Sequence, residues 1–299
     1  MSRIHEALKR AEMERAAQQA QSETSVSARF ESTAVPFERA TPAAEAPATE
    51  PAPLTLETLL ERCPQGEWHP DPKTMLFLQP HSHSAGTEEF RTLRARLYKV
   101  REKHPLKTLL ITSALPAEGK SFVAANLAQV FVRQHERRVL LIDADLRWSR
   151  LHLSLGTNLY PGLSDYLRGD ADLFSIVQRS PQGNLFFIPG GRSASNPNEL
   201  LINGRLRELL QQMAPLFDWI VIDSPPAIPV SDAALLAGLA DGVLLVVRAA
   251  QTPFDLAQKV RQEFRDKPLL GAVLNCVPPA ASYGSYYQYR YPQNGKRKD

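Results

Sequence analysis

The chain has 299 residues, 43% hydrophobic and 22% charged, with a formal net charge of +3. That length and apolar content bury a full core, so most of the chain is expected to be globular, one domain with attachments. So small a charge, with no basic stripe interleaved with aromatics, excludes nucleic acid as an expected partner. The longest apolar runs are strand-sized and fall far short of the ~20 residues that a spanning helix needs. The two cysteines, Cys63 and Cys276, have neither metal-ligand spacing nor a disulfide framework, which fits a reducing compartment. No apolar segment follows the basic N-terminal residues, so no signal peptide is expected and the protein is placed in the cytoplasm.

Residues 1–20 read as an amphipathic helix with Ser2 as N-cap and a thin apolar stripe of Ile4, Leu8 and Ala11. Such a helix buries too little to stand alone, so it either frays or docks on a partner. Residues 21–53, rich in Pro, Ala, Ser and Thr, cannot offset their ordering entropy and read as a disordered linker. A globular domain over 54–279 follows. Within it Leu54 to Arg62 suggests a short helix, L-F-L-Q from Leu76 an edge strand, and the segment around Thr87 to Arg101 a helix with Phe90, Leu93 and Leu97 on one face. Its Glu88, Glu89, Arg91 and Arg94 form either a solvated face laced by weak ion pairs or a self-complementary surface between subunits.

From Lys107 onward apolar strands alternate with helical patterns: T-L-L-I-T, V-L-L-I-D, L-F-F-I-P, W-I-V-I-D, V-L-L-V-V and A-V-L-N. Alternation of this kind gives an α/β fold, a mostly parallel sheet sandwiched by helices, with ligands bound beyond the carboxyl ends of the strands. The first strand runs into T-S-A-L-P-A-E-G-K-S, Thr112 to Ser121, and then into a helix. Strand, tight loop and helix in that order form the setting of a phosphate-binding loop. Gly119 lets the backbone approach a phosphate, loop amides and the helix start face the anion, Lys120 reaches the β and γ phosphates, and Ser121 supplies a hydroxyl for Mg²⁺. Ala114 stands at the first position of the usual pattern and Ala117 where a second glycine often sits; alanine there is expected to need a negative φ.

Two further strands end in aspartate: Asp143, followed by Asp145, and Asp223. One such residue is an ordinary cap, but three beside a phosphate loop form a constellation suited to Mg²⁺ and phosphoryl transfer. Asp143 and Asp223 would serve the metal, either Asp143 or Asp145 would be the base, and Arg147 would neutralise phosphate, bind a neighbour, or be a surface arginine. The last residues, 280–299, hold five of the eight tyrosines: Tyr283, Tyr286, Tyr287, Tyr289 and Tyr291. Base stacking, a sticky low-complexity tail, and phosphate acceptance compete as readings, and the kinase-type site upstream favours the third.

T-S-A-L-P-A-E-G-K-S, L-L-I-D-A-D-L-R with His152 after it, G-L-S-D-Y-L-R-G, N-P-N-E-L-L, V-I-D-S-P-P and the tyrosine cluster together resemble the bacterial tyrosine autokinases of capsule and exopolysaccharide export, the cytoplasmic CpsD/CapB type of P-loop ATPase. The resemblance implies ATP and Mg²⁺ as cofactors. It makes Lys120, Asp143, Asp145 and Asp223 the catalytic set and Ser121, Asp143 and Asp223 the metal set. Ala114, Pro116, Ala117, Glu118, Gly119, Lys120, Ser121, Phe122, Arg248 and Asn275 become the nucleotide contacts, with Asn275 at the adenine or a plain strand-end cap. Glu88, Glu89, Arg91 and Arg94 match the subunit-contact motif. The implied assembly is a homo-oligomeric ring in which one subunit phosphorylates its neighbour's tail. Its implied partners are a membrane-bound co-polymerase that holds it at the inner membrane, and a cognate tyrosine phosphatase. Ala117 and the Trp148 and Ser149 pair depart from the family pattern. Two alternatives remain: a P-loop ATPase of the partitioning or division-site type, against which Leu115 stands in place of an extra lysine, and a catalytically weak regulatory ATP-binding subunit.

Overall fold

The computed structural model describes residues 54–63, 65–78, 86–134, 137–181 and 183–278. The expected N-terminal helix, the linker and the tyrosine-rich tail lie outside the described residues. Seven strands form one sheet: β1 (Thr108–Ser113), β2 (Val139–Asp143), β3 (Gln178–Arg179), β4 (Leu185–Ile188), β5 (Trp219–Asp223), β6 (Gly242–Arg248) and β7 (Leu269–Asn275). Their order across the sheet is β3-β4-β2-β5-β1-β6-β7. All neighbouring pairs are parallel except β3 with β4.

Strand side chains alternate between two cores, as a period of two demands. Leu110, Leu140, Ile142, Ile220 and Ile222 face one side; Leu109, Ile111, Val139, Leu141, Trp219 and Val221 face the other. The first face is covered by α1 (Leu56–Arg62), α5 (Leu163–Arg168), α6 (Leu173–Ile176), α7 (Pro197–Ile202), α8 (Arg205–Met213), α9 (Asp232–Ala237) and α10 (Phe254–Glu263). The second is covered by α2 (Thr87–Arg101), α3 (Lys120–Val132) and α4 (Leu151–Leu155). On that face Trp219 stacks on Phe131 with ring centroids 4.2 Å apart, and its indole N–H donates to the Tyr98 hydroxyl at 3.1 Å. Aromatic burial thus fixes α2 and α3 against the central strand.

Helix α1 is capped by Thr55, whose hydroxyl accepts from the Thr58 N–H at 3.2 Å. The expected edge strand at L-F-L-Q is not formed. Leu76, Phe77 and Leu78 lie in a turn, Phe77 is buried against α2 and α3, and the Leu76 N–H donates to Asn126 Oδ1 at 2.8 Å. Tertiary packing and one buried amide took the backbone donor that a strand would have used. The two-residue β3 went unpredicted because it carries no apolar run.

Candidate functional site

The carboxyl ends of β1, β2 and β5 meet at one edge of the sheet. Asp143 and Asp223 are register partners across β2 and β5. The loop after β1 crosses to α3 through Gly119, whose φ of 92° is open to glycine at no steric cost. A Cβ at Gly119 would stand 2.0 Å from Asn275 Nδ2, so glycine is also required by close approach. Asn275 donates from that amide to the Glu118 carbonyl at 2.9 Å, placing the end of β7 on the loop.

Ala117 corrects an expectation: its φ is +62°, the left-handed conformation, not a negative value. Its neighbours over-determine the turn. The Arg248 guanidinium donates to the Ala117 carbonyl at 3.0 Å. The buried Glu118 carboxylate accepts from the Leu115 N–H at 2.8 Å and bonds the Thr252 hydroxyl. The Glu118 side chain therefore braces the loop from within the fold. Ala114 is buried, and its carbonyl accepts from the Ile228 N–H at 3.3 Å.

Lys120 Nζ lies 2.9 Å from Asp145 Oδ2 and 3.4 Å from Ser121 Oγ. Burial works against the Lys120 charge, but Asp223 and Asp145 outweigh it and raise its pKa. Asp145 Oδ1 accepts from the Trp148 N–H at 3.0 Å. Asp143 is fully buried with both oxygens engaged. Its Oδ1 accepts from the Asp145 N–H at 3.2 Å; its Oδ2 accepts from the Ser149 hydroxyl at 2.6 Å and from the Arg150 and Leu151 N–H groups at 3.2 Å each. Ser149, which from sequence was only a departure from pattern, is thus a partner of Asp143.

Asp223 differs. It is buried, and its Oδ1 has no hydrogen-bond partner among the described residues. Burial pushes its carboxyl up to about 6, against the pull of Lys120 and the Ser121 hydroxyl. Burial, with the adjacent Asp223 charge, pushes Asp143 up to about 7. Such an orphaned acceptor beside a serine hydroxyl fits a hard cation that takes few protein ligands. Among the described residues no three acidic, histidine or cysteine side chains form a self-sufficient metal cluster, so phosphate oxygens would have to complete such a site.

Arg147 is occupied within the fold. Its guanidinium forms a two-bond pair, 2.7 and 3.1 Å, with the buried Asp232 at the start of α9. Asp232 and Thr252 escaped sequence reasoning because their partners lie far away in the chain. On α2, Arg91 pairs with Glu88 within the same helix, Arg94 donates to the Val130 carbonyl at 2.9 Å, and Glu88 and Glu89 are exposed. Among the described residues no helix is long and apolar enough to cross a membrane.

No protein-family model matches the chain. It is 37% identical over 214 residues to the putative tyrosine-protein kinase EpsB of Ralstonia nicotianae, a match that covers 70% of this chain and 28% of EpsB. The chain therefore spans under a third of that relative's length. It is 36% identical over 207 residues to the tyrosine-protein kinase YwqD of Bacillus subtilis, covering 68% of this chain and 87% of YwqD. Among solved structures, the kinase domain of the Escherichia coli tyrosine kinase ETK aligns with a TM-score of 0.66 at 30% identity, over 77% of this chain and 89% of that one. The Pyrococcus furiosus cell division ATPase MinD aligns with a TM-score of 0.50 at 26% identity, over 58% and 77% respectively. With the phosphate loop, the paired strand-end aspartates and a relative such as YwqD matched over most of its length, the chain belongs to the family of bacterial tyrosine-protein kinases.

Proposed function

We propose that this chain is an ATP-dependent tyrosine autokinase that phosphorylates Tyr283, Tyr286, Tyr287, Tyr289 and Tyr291 of a neighbouring copy. The observation that carries the reading is the juxtaposition of the Lys120 and Ser121 loop end with Asp145 and with the unpartnered Oδ1 of Asp223. Loop amides from Ala117 to Phe122, with Gly119 at the turn, would cradle the phosphates, and Lys120 would leave Asp145 for them. Ser121 and Asp223 would hold Mg²⁺, while Asp143, its oxygens already engaged, would add charge from behind. The metal supplies neutralisation of phosphate charge. Arg248 and Asn275 hold the loop and border the nucleotide.

Asp145, released from Lys120, is assigned as the base. The phenol O–H proton passes to its carboxylate as the phenol oxygen bonds the γ phosphorus. The bond from that phosphorus to the bridging oxygen breaks, and ADP leaves with the electron pair. Positioning and charge supply most of the rate.

Leu115 in place of a lysine, and the closer match to ETK than to MinD, support the kinase reading over a partitioning ATPase. The exposed Glu88 and Glu89, with Arg91 and Arg94, would join copies into a ring, and a membrane-bound activator of polysaccharide export would hold it at the inner membrane. A cognate phosphatase would reset the tail.

The test is labelling with radioactive ATP and Mg²⁺. Tyrosine label on the tail is expected, lost in Lys120→Ala and in the variant with all five tail tyrosines changed to Phe. Label that survives Lys120→Ala would overturn the site. Arg91→Ala combined with Arg94→Ala should reduce the sedimenting oligomer to monomer; an unchanged sedimentation coefficient would sink the α2 interface.

A further inference from the structure

Trp148, in the loop after β2, is 66% exposed. Its backbone N–H is bound to Asp145 Oδ1 at 3.0 Å, so the Trp148 main chain is tied to the carboxylate that pairs with Lys120. The Arg150 guanidinium sits over one ring face, 5.1 Å from the centroid. Ser149, between them, packs against Gly190, where a Cβ would come within 2.6 Å of the Ser149 Cβ. Two residues beyond Gly190 the Arg192 guanidinium covers Tyr160, itself 49% exposed, at 4.2 Å. Two aromatic rings, each backed by a guanidinium, thus flank the carboxyl ends of β2 and β4. Neither Trp148 nor Tyr160 belongs to either core, so packing does not account for them.

We infer that Trp148, backed by Arg150, is the shelf on which the acceptor tyrosine of a second copy's tail docks. This rests on the proposed kinase activity. Two features of the chain point to this occupant. Residues 283–291 place five phenol rings in nine positions, and a phenol stacks on an indole in offset or edge-to-face geometry. β7 ends at Asn275, which touches the loop, so the residues that follow it start from the same end of the sheet as the site. A ring held on Trp148 brings its hydroxyl toward Asp145, whereas a serine side chain has no ring to hold. Trp148 is therefore a positioning residue that favours tyrosine over serine.

The chain supplies its own probe. Of its three tryptophans, Trp68 is 9% and Trp219 0% exposed, so quencher-accessible indole emission reports Trp148. The receiver is the full chain with its five tail tyrosines changed to Ser, without nucleotide. Titration with a synthetic peptide of residues 280–294 is expected to change emission saturably and to shield it from acrylamide. The same peptide with Ser for Tyr, and the Trp148→Phe receiver, are expected to give no change. In steady state, Trp148→Ala should raise the KM for the tyrosine peptide roughly fivefold with the KM for ATP unchanged, and Trp148→Phe should restore it. Emission indifferent to the peptide, or a loss confined to kcat, would overturn the shelf. With the unaltered chain, acrylamide shielding should grow with protein concentration; shielding independent of concentration would assign the shelf to the chain's own tail and overturn the second copy. Because the titration needs no ATP, a docked peptide that is never labelled would refute the kinase reading and leave the shelf standing.

Discussion

Asp143 and Asp223 sit side by side at the ends of adjacent parallel strands, equally buried and preceded by equally apolar runs, yet one is fully engaged and the other is not. The difference lies in the residues that come after each strand. After Asp143 the chain turns through A-D-L-R-W-S-R-L, whose N–H groups and Ser149 hydroxyl fold back onto the carboxylate. After Asp223 comes S-P-P, and Pro225 and Pro226 have no N–H to give. The Ser224 hydroxyl is directed to the Ile111 and Pro225 carbonyls. A strand-end aspartate is thus structural or available according to the donors in the next few residues.

Removing the charge from each aspartate in turn separates the two. Asp223→Asn is expected to lower tail labelling by roughly 100-fold or more while leaving the chain folded, since its Oδ1 is already without a donor. Asp143→Asn turns an amide toward donors and should cost about 2 kcal/mol of stability, measured by urea unfolding. Equal loss of stability in both variants would end the distinction.

A second effect comes from pH. Burial raises Asp223 from 3.8 to about 6 and Asp143 to about 7, so the folded chain holds protons that the unfolded chain has released between about pH 4 and pH 7. Stability of the metal-free protein should therefore fall as pH rises through that window. Urea midpoints at pH 5 and pH 8 check this: the decline should be present in the unaltered chain and reduced in Asp223→Asn. A midpoint that rises between those values would contradict the assignment.

The sheet and its contents were legible because six strands carry apolar runs and the loop residues announce themselves by type and order. Lys120, Ser121, Asp143, Asp145 and Asp223 do come together. The engagement of each was not legible, because Ser149, Thr252 and Asp232 act on residues reached only after folding. Arg147 shows the limit most plainly: its neighbours in sequence leave phosphate, another subunit or plain solvent open, whereas its carboxylate partner arrives from α9, 85 residues away. L-F-L-Q fails for the same reason, since Asn126 claims its backbone donor.

Ser149→Ala tests the donors of Asp143 one at a time. The carboxylate keeps three N–H donors, so a loss of about 1 kcal/mol is expected, smaller than for Asp143→Asn. Gly190 packs against this side chain, so a smaller residue fits without a clash. A loss as large as that of Asp143→Asn would mean that the hydroxyl alone fixes the turn.

The smallest effect tests the third strand end, where β1 meets its loop. Ala117 carries a left-handed penalty of about 1 kcal/mol that glycine escapes, while glycine loses ~0.5–1 kcal/mol through unfolded-chain entropy. Ala117→Gly should therefore shift the melting temperature by no more than about 1–2 °C, upward. Because Arg248 and Glu118 already hold the alanine in the glycine-like conformation, the KM for ATP should stay within about twofold. A large gain in kcat on Ala117→Gly would mean instead that the loop is strained out of its productive shape. The residues behind it would then be forcing a conformation, in contrast to the donors around Asp143, which merely keep one.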